Sequence, residues 1–64
     1  MKPNEIKAAL MLKGIKQGEI ARMLGITAAA VSSVIAGRYK SKRVKLQIAK
    51  ILSKSINEIW QESA

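Results

Sequence analysis

The spacing of apolar residues is the feature that most narrows what this chain can fold into, because it repeats every three or four residues between short interruptions. In the first segment, Ile6, Ala9 and Leu10 share one face of a helix that Pro3 can start and Gly14 can stop. The same spacing recurs in later segments. We therefore predict an all-α fold of five short helices, at about residues 3–13, 17–24, 28–36, 42–53 and 56–61.

The chain has 64 residues, which is enough for one small domain, and we assign residues 1–64 to a single domain. It contains no cysteine, histidine or aspartate, and its acidic residues are Glu5, Glu19, Glu58 and Glu62. Metal sites and nucleophile–base pairs are built mainly from the missing residue types, and the glutamates lie far apart in sequence. We therefore expect no enzyme activity, no metal and no cofactor, and no small-molecule ligand is evident.

Charge gives the clearest indication of a partner. Twelve lysines and arginines against four glutamates give a formal net charge of +8, which favours binding to nucleic acid or to an anionic membrane. The longest uncharged stretch, residues 23–37, has 15 residues and is too short to span a membrane. The N-terminal segment lacks the pattern of a secretory signal, so we expect a cytoplasmic, nucleoid-associated protein.

The segment QGEIARMLGITAAAVSSVIAG, residues 17–37, predicts two helices joined by a tight turn. Ala21 is small where the two helices would cross, and Gly25 can adopt the positive φ that suits a helix C-terminus. Ile26 would place the turn against the core, and the hydroxyl of Thr27 could cap the second helix. These residue types at this spacing indicate a helix-turn-helix unit.

This segment resembles the helix-turn-helix of the Cro/phage-repressor superfamily, and GRYKSKRVKLQIAKIL with the terminal NEIWQ resembles its Ner-like subgroup, found in transposable phages and related elements. The resemblance covers roughly residues 6–60. It implies a compact four- to five-helix, lambda-repressor-like domain that binds operator DNA and regulates transcription, as a repressor of the phage or mobile-element type. It also implies that Gln17 contacts phosphate and that five further residues face DNA, namely Thr27, Ala28, Ala29, Ser32 and Ser33.

Three positions depart from the family pattern. Lys16 stands where a serine or threonine usually caps the second helix, although a lysine there could reach a phosphate instead. Ser53 and Lys54 stand where a glycine usually follows the fourth helix. Gln61 replaces the proline that typically follows Trp60 in Ner-like proteins.

The predicted recognition helix, residues 28–36, has none of the arginine, lysine, asparagine or glutamine side chains that most often contact bases. Its predicted outer face consists of small residues: Ala28, Ala29, Ser32, Ser33 and Ala36. Such a face could simply be exposed to solvent. It could also let the helix lie deep in the major groove, where an alanine methyl packs on thymine and serine hydrogen-bonds to either base. We expect the second, with DNA shape supplying part of the specificity.

Affinity is expected to come from the segment RYKSKRVK, residues 38–45, which we call the basic segment. Its expected phosphate-binding residues are Arg38, Tyr39, Lys40, Ser41, Lys42 and Arg43, and Lys45 adds to its positive charge. Ser41 could also cap the fourth helix. A charged run is usually only a solvated loop, but a position next to a helix-turn-helix favours DNA contact. Lys13 and Lys16 would flank the other side of the groove.

Other functions remain open from the sequence. A cationic, membrane-active peptide also has lysine-rich amphipathic helices, and an RNA-binding protein would also be basic. A small protein-interaction module or anti-repressor acting on another regulator is a further alternative. Trp60 either anchors the last helix in the core, which we expect, or forms a dimer contact. Any homodimer would be weak or would form only on double-stranded DNA.

Overall fold

The computed structural model describes residues 1–60, which form five α-helices and no strand. The helices are α1 (Pro3–Leu12), α2 (Gln17–Leu24), α3 (Ala28–Ile35), α4 (Lys42–Leu52) and α5 (Ile56–Trp60). The all-α class and the five predicted helices are confirmed. Each helix begins at the predicted residue, and the first four end within one residue of the prediction. Residue 61, where the fifth was expected to end, lies outside the described residues, as does the departure noted at Gln61.

One hydrophobic core lies between the helices, and every helix contributes to it. Helices of 5 to 11 residues are unstable alone in water, so this burial holds them together. The buried apolar side chains are Ile6, Leu10, Ile20, Ala21, Val31, Val34, Ile35, Val44, Ile48, Ala49, Leu52 and Ile59. Further apolar side chains are half-buried and pack against the edge of the core, among them Ala9, Leu24, Ile26, Ile51 and Trp60.

Glutamates stabilise the starts of three helices. In each case the carboxylate at the third helical position accepts a hydrogen bond from the backbone N–H of the residue that precedes the helix. The pairs are Glu5 with Lys2 at 2.6 Å, Glu19 with Lys16 at 3.3 Å and Glu58 with Ser55 at 3.0 Å. These carboxylates also place negative charge at the positive end of each helix dipole.

The start of α5 has the capping box that the spacing of Ser55 and Glu58 predicts. The hydroxyl of Ser55 accepts a hydrogen bond from the backbone N–H of Glu58 at 3.2 Å, while the Glu58 carboxylate accepts one in return. The hydrogen bond from the Ser55 backbone, followed by that from the Ser55 hydroxyl, lowers the pKa of the Glu58 carboxyl. The ionised form of Glu58 therefore stabilises the start of this short helix.

Two helices end at a residue with a left-handed backbone. Gly25, after α2, has φ 69° and ψ 32°, and the N–H of Ile26 donates to the Ala21 carbonyl at 2.9 Å. This is the conformation that the sequence predicts for Gly25. Ser53, after α4, has φ 56° and ψ 42° and is the one residue other than glycine with a positive φ in residues 1–60. Ser53 therefore adopts the conformation for which the family usually provides a glycine.

Helix α5 is held in place by contacts from distant parts of the chain. Ile59 is fully buried, and its carbonyl accepts a hydrogen bond from the Met1 α-amino group at 2.6 Å. The Nζ of Lys45 lies 5.5 Å from the centroid of the Trp60 ring, within cation–π distance. The half-buried Trp60 thus packs the last helix against the rest of the domain, as expected for an anchor.

Within residues 1–60, no single helix has both the length and the apolar character needed to cross a membrane. Within the same residues, α2 and α3 would be long and apolar enough only if they were counted as one helix. The turn between them changes the direction of the helix axis by 112°.

Candidate nucleic-acid interface

Helices α2 and α3 form the predicted helix-turn-helix arrangement. Their axes differ in direction by 112°, and the left-handed Gly25 makes the sharp change of direction possible. Ala21 is buried in α2, and the half-buried Ile26 packs the turn against the core. The turn is therefore fixed both by its backbone conformation and by its packing.

Thr27 begins α3 as a capping residue. Its hydroxyl oxygen accepts a hydrogen bond from the backbone N–H of Ala30 at 3.1 Å, as the sequence predicts. A hydroxyl that accepts one hydrogen bond still has its own proton to donate. Thr27 is exposed, so this donor is accessible to a ligand that approaches the start of α3.

The face of α3 that points away from the core consists of small, uncharged side chains. Val31, Val34 and Ile35 are buried and fix the orientation of the helix. On the other side, Ala28 and Ala29 are exposed. The remaining residues of the predicted DNA-facing set, Ser32 and Ser33, are half-buried. The most accessible part of this face is therefore the N-terminal half of α3, the part that enters the major groove in known helix-turn-helix complexes.

The basic segment leads directly from α3 into α4. Arg38, Tyr39 and Lys40 are exposed in the connecting loop, and Lys42 and Arg43 are exposed in the first turn of α4. Between these two groups, Ser41 caps α4.

The cap at Ser41 has the predicted form. Its hydroxyl accepts a long hydrogen bond, of 3.5 Å, from the backbone N–H of Val44. The loop and the helix start thus place several positive charges beside the dipole-positive end of α4, close to the end of α3.

Lys45 differs from the other basic residues of this segment, and the expectation that its charge adds to the affinity for DNA is corrected. It is only 8% exposed and lies over Trp60. Burial of Lys45 follows from its position, because it lies three, four and seven residues before Ile48, Ala49 and Leu52, on the buried face of α4. The helical spacing contains this signal, but the charge of the lysine conceals it.

Arg43 makes a contact that the sequence does not reveal. Its Nη2 donates a hydrogen bond to the backbone carbonyl of Leu24, the last residue of α2, at 3.1 Å. The two residues are 19 positions apart, so no local pattern predicts the pair. A guanidinium has five N–H donors, so this contact leaves others available for phosphate.

The start of α2 contains Lys16 and Gln17, both predicted to contact phosphate. Lys16 is exposed and makes no side-chain cap, which agrees with its departure from the family pattern. The Glu19 carboxylate instead accepts a hydrogen bond from the backbone N–H of Lys16. Gln17 is the first residue of α2 and is half-buried. In residues 1–60, no three histidine, cysteine, aspartate or glutamate side chains are grouped so that they could hold a metal ion.

A family model described as helix-turn-helix matches residues 6–59, which is most of the chain. No curated protein and no solved structure gives a significant match. The matched range begins at Ile6, the first buried residue of α1, and ends at Ile59, the buried residue of α5. It therefore includes the core and both helices of the helix-turn-helix. The chain belongs to the Cro/C1-type helix-turn-helix family of DNA-binding domains.

Proposed function

We propose that this protein is a sequence-specific regulator of transcription that inserts α3 into the major groove of double-stranded DNA. One observation carries the proposal. In a chain of net charge +8, the outer face of α3 is uncharged and small, while the segment that follows it is exposed and basic. A groove-facing helix needs close approach, and the flanking backbone contacts need positive charge.

The base-contacting residues in this proposal are those on the outer side of α3 and at its cap: Thr27, Ala28, Ala29, Ser32 and Ser33. The two alanines are the most exposed members of α3 and offer methyl groups to thymine. The hydroxyls donate or accept at base edges. Each contact of this kind discriminates weakly, so sequence-dependent DNA shape contributes to the choice of site.

The proposed phosphate-contacting residues come before and after α3 in the chain. Before it are Lys16 and Gln17 at the start of α2. After it are the exposed members of the basic segment and the cap that follows them: Arg38, Tyr39, Lys40, Ser41, Lys42 and Arg43. Contacts from both groups would hold α3 in register along the groove.

We further propose that the protein is a repressor of the phage or mobile-element type, similar to Ner-like proteins. It would act without enzymatic chemistry, a cofactor or a small-molecule ligand. Its place of action is the nucleoid in the cytoplasm. Two copies bind a repeated operator, because a single recognition helix contacts few base pairs. Each copy carries +8, so repulsion opposes the dimer in free solution, and DNA phosphates remove that repulsion.

Selection from a random duplex pool tests this function. The full chain is incubated with the pool at a fixed salt concentration, bound duplexes are recovered over several rounds, and the enriched sequence is footprinted. We expect a short motif present in two half-sites, protected in the major groove. Single-stranded DNA and RNA of the same sequence should compete poorly. Recovery of duplexes with no shared motif would contradict sequence-specific recognition and leave only general attraction to polyanions.

A further inference from the structure

A shallow groove of about 350 Å³ lies where the end of α1 meets the start of α2. Its lining residues are Lys7, Leu10, Met11, Ile15, Lys16 and Gln17. Leu10 is buried and Ile15 is half-buried, so both form part of the floor. Met11 is 75% exposed and lies on the open side, which leaves a large apolar side chain in contact with water.

The groove combines an apolar surface with positive charge at its edges. Lys7 and Lys16 supply the charge, and none of the acidic residues within residues 1–60 lines the groove. Methionine is flexible and polarizable, which suits a surface that adapts to another side chain. A ligand that complements this groove therefore has an apolar side chain for the Met11 region and carboxylates for the two lysines.

Two kinds of ligand fit poorly. Small molecules are normally held in cavities that enclose most of their surface, whereas this groove leaves Met11 largely exposed. A second copy of the chain would bring another net charge of +8. The described acidic residues of that copy, Glu5, Glu19 and Glu58, already accept hydrogen bonds at helix starts.

We infer that this groove docks an acidic amphipathic segment of a partner protein. A helix with leucine-like side chains on one face and glutamates beside them would bury apolar atoms against Met11 and Ile15 and pair its carboxylates with Lys7 and Lys16. Such docking goes beyond DNA binding and would give the domain a protein partner that competes with DNA phosphate for Lys16. Most of its affinity would come from the apolar contact, and much of its specificity and association rate from charge.

The first test maps the binding surface on the full chain without nucleic acid, so its outcome does not depend on the proposed DNA-binding function. The chain has three methionines, and carbon-13 labels on their methyl groups give three resolvable probes. The ligand is a synthetic acidic peptide of about 15 residues, long enough to form a helix, with leucine at every third or fourth position and glutamate between. We expect the Met11 methyl signal to shift on titration. The Met23 signal, from a side chain 56% exposed on α2, should stay in place. Equal shifts of both signals, or no shift of Met11, would overturn the inference.

The second test uses matched variants in the same peptide titration. Met11→Ser removes the apolar contact without changing charge, and we expect it to weaken peptide binding about tenfold. Leu12→Ser is the control, because Leu12 is 89% exposed in the same turn of α1 but does not line the groove. It should change affinity less than twofold by the same measure. Equal losses in the two folded variants would contradict docking at this groove.

Charge is tested with a second pair. Lys7→Gln should weaken binding and reduce its dependence on salt, whereas Lys50→Gln, which alters an exposed lysine of α4 outside the groove, should do neither. A peptide with glutamine in place of every glutamate should bind more weakly. If the neutral peptide binds as well as the acidic one, the proposed partner chemistry is wrong.

Other occupants of the groove are distinguished by two further measurements. Vesicles of phosphatidylglycerol are added to the labelled chain without peptide, and its self-association is followed by analytical ultracentrifugation. We expect no shift of the Met11 signal on vesicles and a monomer at the concentrations used. A Met11 shift on vesicles but not on peptide would assign the groove to a membrane surface. Self-association that Met11→Ser abolishes would assign it to a second copy. Either result would overturn the inference.

Discussion

The guanidinium of Arg43 donates a hydrogen bond to the backbone carbonyl of Leu24 at 3.1 Å and thereby joins α4 to the last residue of α2. Carbonyls at the end of a helix lack partners within it, so the contact satisfies an otherwise free acceptor. It also connects the turn of the helix-turn-helix to the start of the helix that carries part of the basic segment.

Replacing Arg43 tests this connection. Arg43→Ala should lower the free energy of unfolding by about 0.5–1.5 kcal/mol, the range for one hydrogen bond, and lower the Tm by several degrees. Arg22→Ala is the matched control, because Arg22 is exposed on α2 and no hydrogen bond of its side chain is found within residues 1–60. Thermal melts followed by circular dichroism compare the two. Equal Tm values for the two variants would show that the Arg43 contact contributes nothing specific.

Gly25 should tolerate substitution poorly for backbone reasons alone. A Cβ at this position would meet no atom within 4 Å, but φ is 69°, a region that L-residues with side chains rarely adopt. Gly25→Val, with a β-branched side chain, should therefore cost on the order of 1–3 kcal/mol.

Gly18 is the matched control for Gly25. It lies inside α2 without a positive φ, and a Cβ there would also meet no atom within 4 Å. Gly18→Ala should therefore stabilise the domain by about 0.4–1 kcal/mol. Urea denaturation of both variants measures the two changes. A Gly25→Val protein as stable as the parent would exclude the left-handed conformation at residue 25.

Ser53→Gly should raise the stability of the domain. Ser53 has φ 56°, which costs a non-glycine residue on the order of 1 kcal/mol, although glycine also makes the unfolded chain more flexible. We therefore expect a gain below about 1 kcal/mol and a rise in Tm of a few degrees. The same change at Ser55, whose hydroxyl accepts from the Glu58 N–H, should lower the Tm. A Tm that falls in both variants would contradict the interpretation of Ser53.

Stability should decline in acid partly because of Glu58. Its pKa is lowered by the hydrogen bonds from Ser55, so the folded state favours the ionised carboxyl more than the unfolded state does. This contribution is fully present above the usual glutamate pKa and is lost as the pH falls through the lower pKa of the folded state. The difference in unfolding free energy between the parent and Glu58→Gln should therefore shrink in acid. Urea denaturation at a series of pH values measures it, and a difference that grows toward low pH would contradict the shift.

Ala29 and Lys42 should give different DNA-binding defects. Ala29→Glu adds bulk and negative charge to the exposed side of the second residue of α3, a position where glutamate favours the helix. It should abolish binding to the selected operator while the Tm stays near that of the parent. Ala8→Glu makes the same change on the exposed side of α1 and should leave operator recognition intact.

Lys42→Ala should weaken binding to all duplexes about equally and flatten the dependence of log K on log salt by about one unit. For the parent, five cationic phosphate contacts give an expected slope of about −4.5. Fluorescence anisotropy against specific and unrelated duplexes at several salt concentrations separates the two effects. If folded Ala29→Glu binds the operator with parental affinity, α3 is not the recognition helix.

The parts of this fold that follow from sequence are those determined by short-range rules. The spacing of apolar residues predicts all five helices, and the ability of glycine to adopt a positive φ predicts the turn at Gly25. The capping roles of Thr27, Ser41 and Ser55 follow from their positions before helices.

Features that depend on tertiary structure, or on a residue type that is unusual at its position, cannot be predicted by these short-range rules. The Arg43–Leu24 hydrogen bond requires the packing of α4 against the turn, which no local pattern specifies. Ser53 adopts a conformation that its residue type disfavours. The helical spacing of Lys45 predicts burial, whereas its positive charge and its place in a basic run predict exposure, and the side chain is buried.

Because α2 and α3 lie at an angle of 112°, a rotation of α3 within the groove would displace the start of α2. Helix α2 has eight residues and a length of about 12 Å, so a rotation of α3 by about 20° around its own axis would move Gln17 by about 4 Å. Such a displacement exceeds the length of a hydrogen bond. A hydrogen bond between Gln17 and the sugar–phosphate backbone would therefore restrict the angular setting of α3 to a narrow range. Duplexes whose grooves differ in width would be distinguished by a side chain that never approaches a base.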